Sequence, residues 1–238
     1  MLFTAASFPS NGEYMGECEY EIKQRVTGSM TGILERALLL RLAGAMPGWV
    51  SPDMLTALGF SGALMTFVGY VLCHGSRQFL WLASSGIAVN WFGDSLDGTL
   101  ARVRLAERRR YGFLIDHITD LGSQILIGLG AGLSPFFRLD VACIAVIAYL
   151  SFMAFSLMTA PDPQRLRIAY GGIGPTEVRI GIIFLNVLLI WYRPGHVVTS
   201  WGTFSAIDIT VLSASAFAFA ALFVAALRAV RRAAQDEG

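Results

Sequence analysis

Six apolar runs dominate this sequence, at roughly 54–74, 79–100, 112–133, 139–160, 173–192 and 205–227. Each is near the length an α-helix needs to cross a bilayer, about 20 residues. A helix satisfies its own backbone hydrogen bonds in lipid, where no water can do so. The expected fold is therefore all-α, a polytopic membrane protein of about six transmembrane helices. Composition agrees: 55% of residues are hydrophobic and 15% charged, against roughly a quarter charged in an ordinary soluble domain. That balance excludes a soluble globular enzyme, and no nucleic-acid partner is expected. Cys18, Cys73 and Cys143 are scattered without metal-ligand spacing and read as small apolar residues.

Basic residues collect on the cytoplasmic side of membrane proteins, and here their distribution is uneven. With six spans, fourteen of the eighteen fall on one side, from Lys23 to Arg41, Arg102 to Arg110, Arg165 and Arg167, and Arg228 to Arg232. Only Arg77, Arg138 and Arg193 fall on the other, and Arg179 lies inside a span. Both termini are therefore expected in the cytosol, at the inner membrane in a bacterium. Residues 1–32, acidic before Lys23, lack the charge order of a signal peptide and read as a cytosolic tail. Residues 33–48 carry leucines on a broad face, with Glu35, Arg36 and Arg41 as their few charges, and read as a helix lying in the membrane interface, or as an ordinary packing helix. Residues 49–232 form the six-span domain, and 233–238 a short cytosolic tail. Two prolines, Pro47 and Pro52, separate the first helix from the first span, and Trp49 suits a headgroup-level anchor.

Polar chemistry concentrates between the second and third runs. Asp94 and Asp97 are three apart, Asp116 and Asp120 four apart, so on a helix each pair shares a face. Four carboxylates in or beside lipid repel one another and lose hydration unless a cation sits among them. Divalent metal is the simplest such cation.

The surrounding residues make the pattern specific. Asp94, Asp97, Gly98, Ala101 and Arg102, then a polar spacer, then Gly112, Asp116 and Asp120 resemble the signature of the CDP-alcohol phosphatidyltransferases, D-x-x-D-G-x-x-A-R followed by G-x-x-x-D-x-x-x-D. All eight fixed positions are present. The spacer, nine residues from Val103 to Tyr111, is one longer than the resemblance leads one to expect, and a polar interhelical turn tolerates that. Pro52 and Thr56 also match the family's P-N-x-x-T segment before the first span, with Asp53 where asparagine is expected. The resemblance implies attack by an alcohol hydroxyl on the phosphorus joined to CMP, with CMP leaving. It implies two divalent ions, Mg²⁺ or Mn²⁺, with Asp94, Asp97, Asp116 and Asp120 as ligands and Asp120 also as general base. It further implies that Gly98, Ala101 and Gly112 admit the nucleotide and that Arg102 binds a phosphate. Partners on the same ground are a CDP-linked lipid or alcohol, an alcohol or diacylglycerol acceptor, and a second copy of the chain in a homodimer.

Acceptor identity is expected to depend on the later spans. Arg165 with Arg167 in the fourth connection, and Glu177 with Arg179 at the start of the fifth span, are the candidate contacts. Residues 174–177 resemble a G-P-x-E segment of the choline and ethanolamine phosphotransferase branch, which favours an amino-alcohol; an arginine pair binding a phosphorylated acceptor is the competing reading. Arg108, Arg109 and Arg110 read as a topology determinant that also attracts anionic lipid. His117, beside Asp116, points about 100° away around the helix and reads as structural. Two other functions fit part of the pattern. A membrane prenyltransferase also binds a pyrophosphate through two aspartate motifs, and Asn90 with Asp94 echoes one, but Gly98 stands where it needs another aspartate. A cation carrier gives no reason for Gly98, Ala101, Arg102 and Gly112 at their spacings.

Overall fold

Ser51 and Pro52 decide where the first long helix begins. A proline at the first helical position gives up an N–H that has no partner there in any case, and Met54 N donates to the Ser51 hydroxyl at 3.2 Å. The computed structural model describes residues 32–159, 174–192, 195–200 and 202–236. Within them the chain forms α1 (Gly32–Ala45), α2 (Pro52–Leu72), α3 (Phe79–Val103), α4 (Arg109–Gly132), α5 (Leu139–Thr159) and α6 (Pro175–Trp191). A hairpin follows, β1 (His196–Thr199) with β2 (Gly202–Ser205), and then α7 (Ala206–Asp236).

Helices α2 and α3 run antiparallel with their backbones in contact. A Cβ placed at Gly62, Gly69, Gly86 or Gly93 would come within 3.0 Å of atoms of the facing helix, so glycine is what permits the approach. Helix α4 lies along the other side of α2, with Gly122 against the Phe60 ring and Gly130 against the Phe67 backbone. Helix α5 then packs back on α4 through Gly128 to Val146 and Gly132 to Ala142. Helix α6 packs on α3, where Asn186, fully buried, donates to Ser84 Oγ at 3.2 Å and accepts from the Tyr70 hydroxyl at 2.9 Å. Helix α7 runs along α5 and β2.

All six apolar runs are covered by helices, α2 to α7. By length and composition alone three of these can cross a membrane, namely α2, α5 and α7. The other three fall short for a physical reason. Helices α3 and α4, at 25 and 24 residues, carry the aspartates and their polar partners on inward faces, and α6 is 17 residues long. Leu64, Val68, Ile125, Ile147, Phe184, Phe217 and Phe223 are exposed around the bundle, an apolar surface that a bilayer covers and water does not. The protein is thus a helical membrane protein.

One feature departs from the expectation. The all-α reading omits the hairpin, in which His196 pairs with Ser205 and Thr199 with Gly202. Gly202 has φ +124°, a conformation that side-chain-bearing residues avoid. Asp208, at the start of α7, is buried and accepts from Ser205 N and Ser205 Oγ, both at 2.8 Å, and from Arg138 N at 3.0 Å. On α1, Leu39 and Ala43 pack against Leu55, Leu96 and Leu100. One face of α1 is therefore a packing surface on α2 and α3, while Leu38 remains exposed.

Candidate functional site

The site lies where α3 gives way to α4. Helix α3 ends before Leu105, which turns the chain with a left-handed φ of 53°. The spacer is then held to the segment that leads into α2. Arg104 donates to the carbonyls of Pro47 at 2.8 Å, Met46 at 3.0 Å and Val50. Arg108 pairs with Asp53 and lies over the Tyr111 ring at 4.2 Å. The carboxylate keeps the Arg108 guanidinium charged to a higher pH than an isolated arginine. The two departures from the family pattern thus meet in space: the aspartate at position 53 is partnered by an arginine of the longer spacer.

Of the four motif aspartates, three converge. Asp94 from α3, with Asp116 and Asp120 from α4, can each bring a carboxylate oxygen within 4.8 Å of the others. Asp97 stands outside that triad: it is 8% exposed, accepts from Thr56 Oγ1 at 2.6 Å, and also accepts from Gly98 N. The i, i+3 spacing puts Asp94 and Asp97 on one helix face, but α2 claims the second through Thr56. Three carboxylate oxygens form a donor set that suits a hard divalent cation such as Mg²⁺ or Mn²⁺. The triad could hold one.

A cation of the chain's own also reaches the cluster. Arg179, on the second turn of α6 and 6% exposed, donates from Nη2 to Asp94 Oδ2 at 2.7 Å, across 85 residues of sequence. Asp120 and the Tyr149 hydroxyl of α5 are its other close electrostatic neighbours. Glu177, two residues earlier, points elsewhere and accepts from Gly174 N at 2.8 Å, closing the first turn of α6. Arg165, with Arg167, lies outside the described residues.

Among the described residues, Gly98 and Gly112 border open space. A Cβ at Gly112 would meet nothing within 4 Å, and one at Gly98 would meet only the Arg102 guanidinium, no closer than 3.6 Å. Arg102 donates to Thr99 Oγ1 at 3.3 Å and lies over Gly98, beside a half-buried Ala101. His117 is occupied within its own helix, with its Nδ1 2.8 Å from Phe113 O and its ring 4.2 Å from that of Phe113. Tyr149 sits mid-helix in an apolar run, and no local signal marks it. Glu35 is, in the sequence, only a charge on α1, whereas its carboxylate reaches α3 and α6.

No curated protein matches the sequence. Residues 49–226 match the CDP-alcohol phosphatidyltransferase family, a stretch that runs from just before α2 into α7 and takes in all four aspartates and the open ground around them. By that match, the chain belongs to the CDP-alcohol phosphatidyltransferases and is a membrane-embedded transferase acting on a CDP-alcohol.

Proposed function

We propose that the protein transfers a phosphatidyl or phospho-alcohol group from a CDP-linked lipid or alcohol to the hydroxyl of an alcohol or of diacylglycerol, and releases CMP. The observation that carries this reading is the convergence of Asp94, Asp116 and Asp120 from two helices, with oxygens within 4.8 Å of one another. Asp94, Asp97, Asp116 and Asp120 would hold two divalent ions, Mg²⁺ or Mn²⁺. Such ions, when bound, offset the negative charge that builds on the phosphate oxygens during displacement.

The chain's own residues do the rest. Asp120 accepts the proton of the attacking hydroxyl as the new oxygen–phosphorus bond forms and the bond to CMP breaks, the electron pair leaving with CMP. Thr56 fixes one oxygen of Asp97 and so sets its orientation. Arg102 offers a planar fork to a phosphate, and the open space over Gly98 and beside Gly112 admits ribose and pyrimidine. Arg179 and Glu177, with Arg165, are the acceptor contacts; Arg179 alone of these reaches the acids among the described residues.

Six spans, α2 to α7, cross the membrane in this reading, with α1 lying at the interface. The site end carries Arg104 and Arg108, while Arg77 and Arg138 lie at the other end, a distribution that supports a cytosolic site and cytosolic termini. A soluble nucleotide and a membrane lipid can both arrive there. A homodimer is the working assembly.

The test is metal-dependent CMP release by purified protein. Labelled CDP-diacylglycerol with a panel of polar alcohols, and CDP-alcohols with diacylglycerol, cover both directions of the chemistry. We expect one combination to release CMP with Mg²⁺ or Mn²⁺ and none to do so with chelator. If every CDP substrate fails in the presence of both metals, the reading fails.

A further inference from the structure

Glu35 lies outside the matched residues, on α1, yet it touches both α3, which carries Asp94, and α6, which carries Arg179. One oxygen of its carboxylate, Oε1, accepts from Trp91 Nε1 at 2.8 Å, Ser95 Oγ at 3.4 Å and Thr176 Oγ1 at 2.8 Å. The first two donors bracket Asp94 along α3, and the third stands one turn before Arg179 on α6. Arg179 closes the circuit on Asp94 Oδ2. Contacts thus run from Glu35 to α3, through Asp94 to Arg179, and back along α6 to Thr176.

Helix α6 is tied at two places. Its far part is held by Asn186, between Tyr70 and Ser84. Its first turns are held by Thr176 and Arg179. Arg179 Nε is buried and has no acceptor among the described residues, so the guanidinium is held through Nη2 on Asp94, with Asp120 and Tyr149 as its other close neighbours. Its position follows from Asp94 and from the placement of the α6 backbone, which Glu35 sets.

We propose that Glu35 is a positioning residue of the transferase site, holding the first turn of α6 so that Arg179 stays against Asp94. This rests on the acid cluster being the metal site. A guanidinium beside three carboxylates repels an incoming divalent cation, and that repulsion is strong over a few ångströms in a poorly screened site. Freeing α6 therefore has an unusual signature: cation binding tightens while turnover falls, because Asp94 loses the partner that orients it. A general loss of packing does not tighten cation binding.

The experiment measures Mn²⁺ binding by electron paramagnetic resonance on the full chain in lipid nanodiscs without CDP substrate, with CMP release in parallel. Glu35→Gln removes the charge but keeps an oxygen that accepts from the same donors, so it is the reference. Relative to Glu35→Gln, we expect Glu35→Ala to bind Mn²⁺ about threefold tighter and to release CMP about tenfold more slowly. Arg179→Gln should bind Mn²⁺ about tenfold or more tighter, and adding Glu35→Ala to it should change nothing further. Should Glu35→Ala fail to fold, Thr176→Val removes one donor, leaves Glu35 in place and carries the same expectation. Mn²⁺ affinity in Glu35→Ala equal to or weaker than in Glu35→Gln, or an additive effect on Arg179→Gln, overturns the proposal. No Mn²⁺ binding by the unaltered protein removes the metal-site reading, and this proposal with it.

Discussion

The contact between α2 and α3 and the opening between α3 and α4 use the same kinds of residue to opposite ends. Along the first, Gly62, Gly69, Gly86 and Gly93 are pressed against backbone, and the buried Thr66 hydroxyl donates to carbonyl oxygens of Gly62 and Ala83. At the second, among the described residues, Gly98 and Gly112 border open space, and the carboxylates face one another and Arg179. Small residues in membrane helices are ordinarily explained by close packing. Here that explanation holds for one set of glycines and not for the other, and α3 carries both.

Substitutions can break this contrast or sharpen it. Asp120→Asn should lower CMP release by about 10³-fold while leaving the thermal melting of the detergent-solubilised protein unchanged; near-normal release removes Asp120 as the base. Gly62→Ala should do the reverse, costing about 1–3 kcal/mol of stability through overpacking and reducing folded yield, with normal kinetics in the molecules that do fold. Arg102→Ala should raise KM for the CDP substrate about tenfold or more, the worth of a hydrogen bond to a charged group, with little change in kcat. Gly112→Ala sharpens the comparison most directly. It should be neutral or stabilise by up to about 1 kcal/mol through helix propensity, while raising KM for the CDP substrate; a loss of stability like that of Gly62→Ala would erase the distinction. Asp53→Asn should have the smallest effect, because its pair with Arg108 is exposed and screened. Melting temperature and KM both report on it.

Much of this contrast was legible in the sequence, and its limits are physical. The apolar runs located six helices because a bilayer imposes a length, and the motif spacing located the acids because a helix imposes a period. Neither rule says what a residue meets across the bundle. Asp94 and Asp97 look alike at their spacing, yet one faces Arg179 and the other faces Thr56, partners 85 and 41 residues away. Glu35 was readable as a charge on an apolar helix but not as an acceptor for three donors. The hairpin escaped notice because two four-residue strands leave no periodic signal among the polar residues between spans.

The fastening at Asp208 has a consequence for how substrates enter. By gathering the hairpin, the start of α7 and the turn between α4 and α5 onto one carboxylate, it rivets the bundle at the end away from the acids. Movement that admits a CDP-alcohol is therefore expected at the opposite end, around the acids.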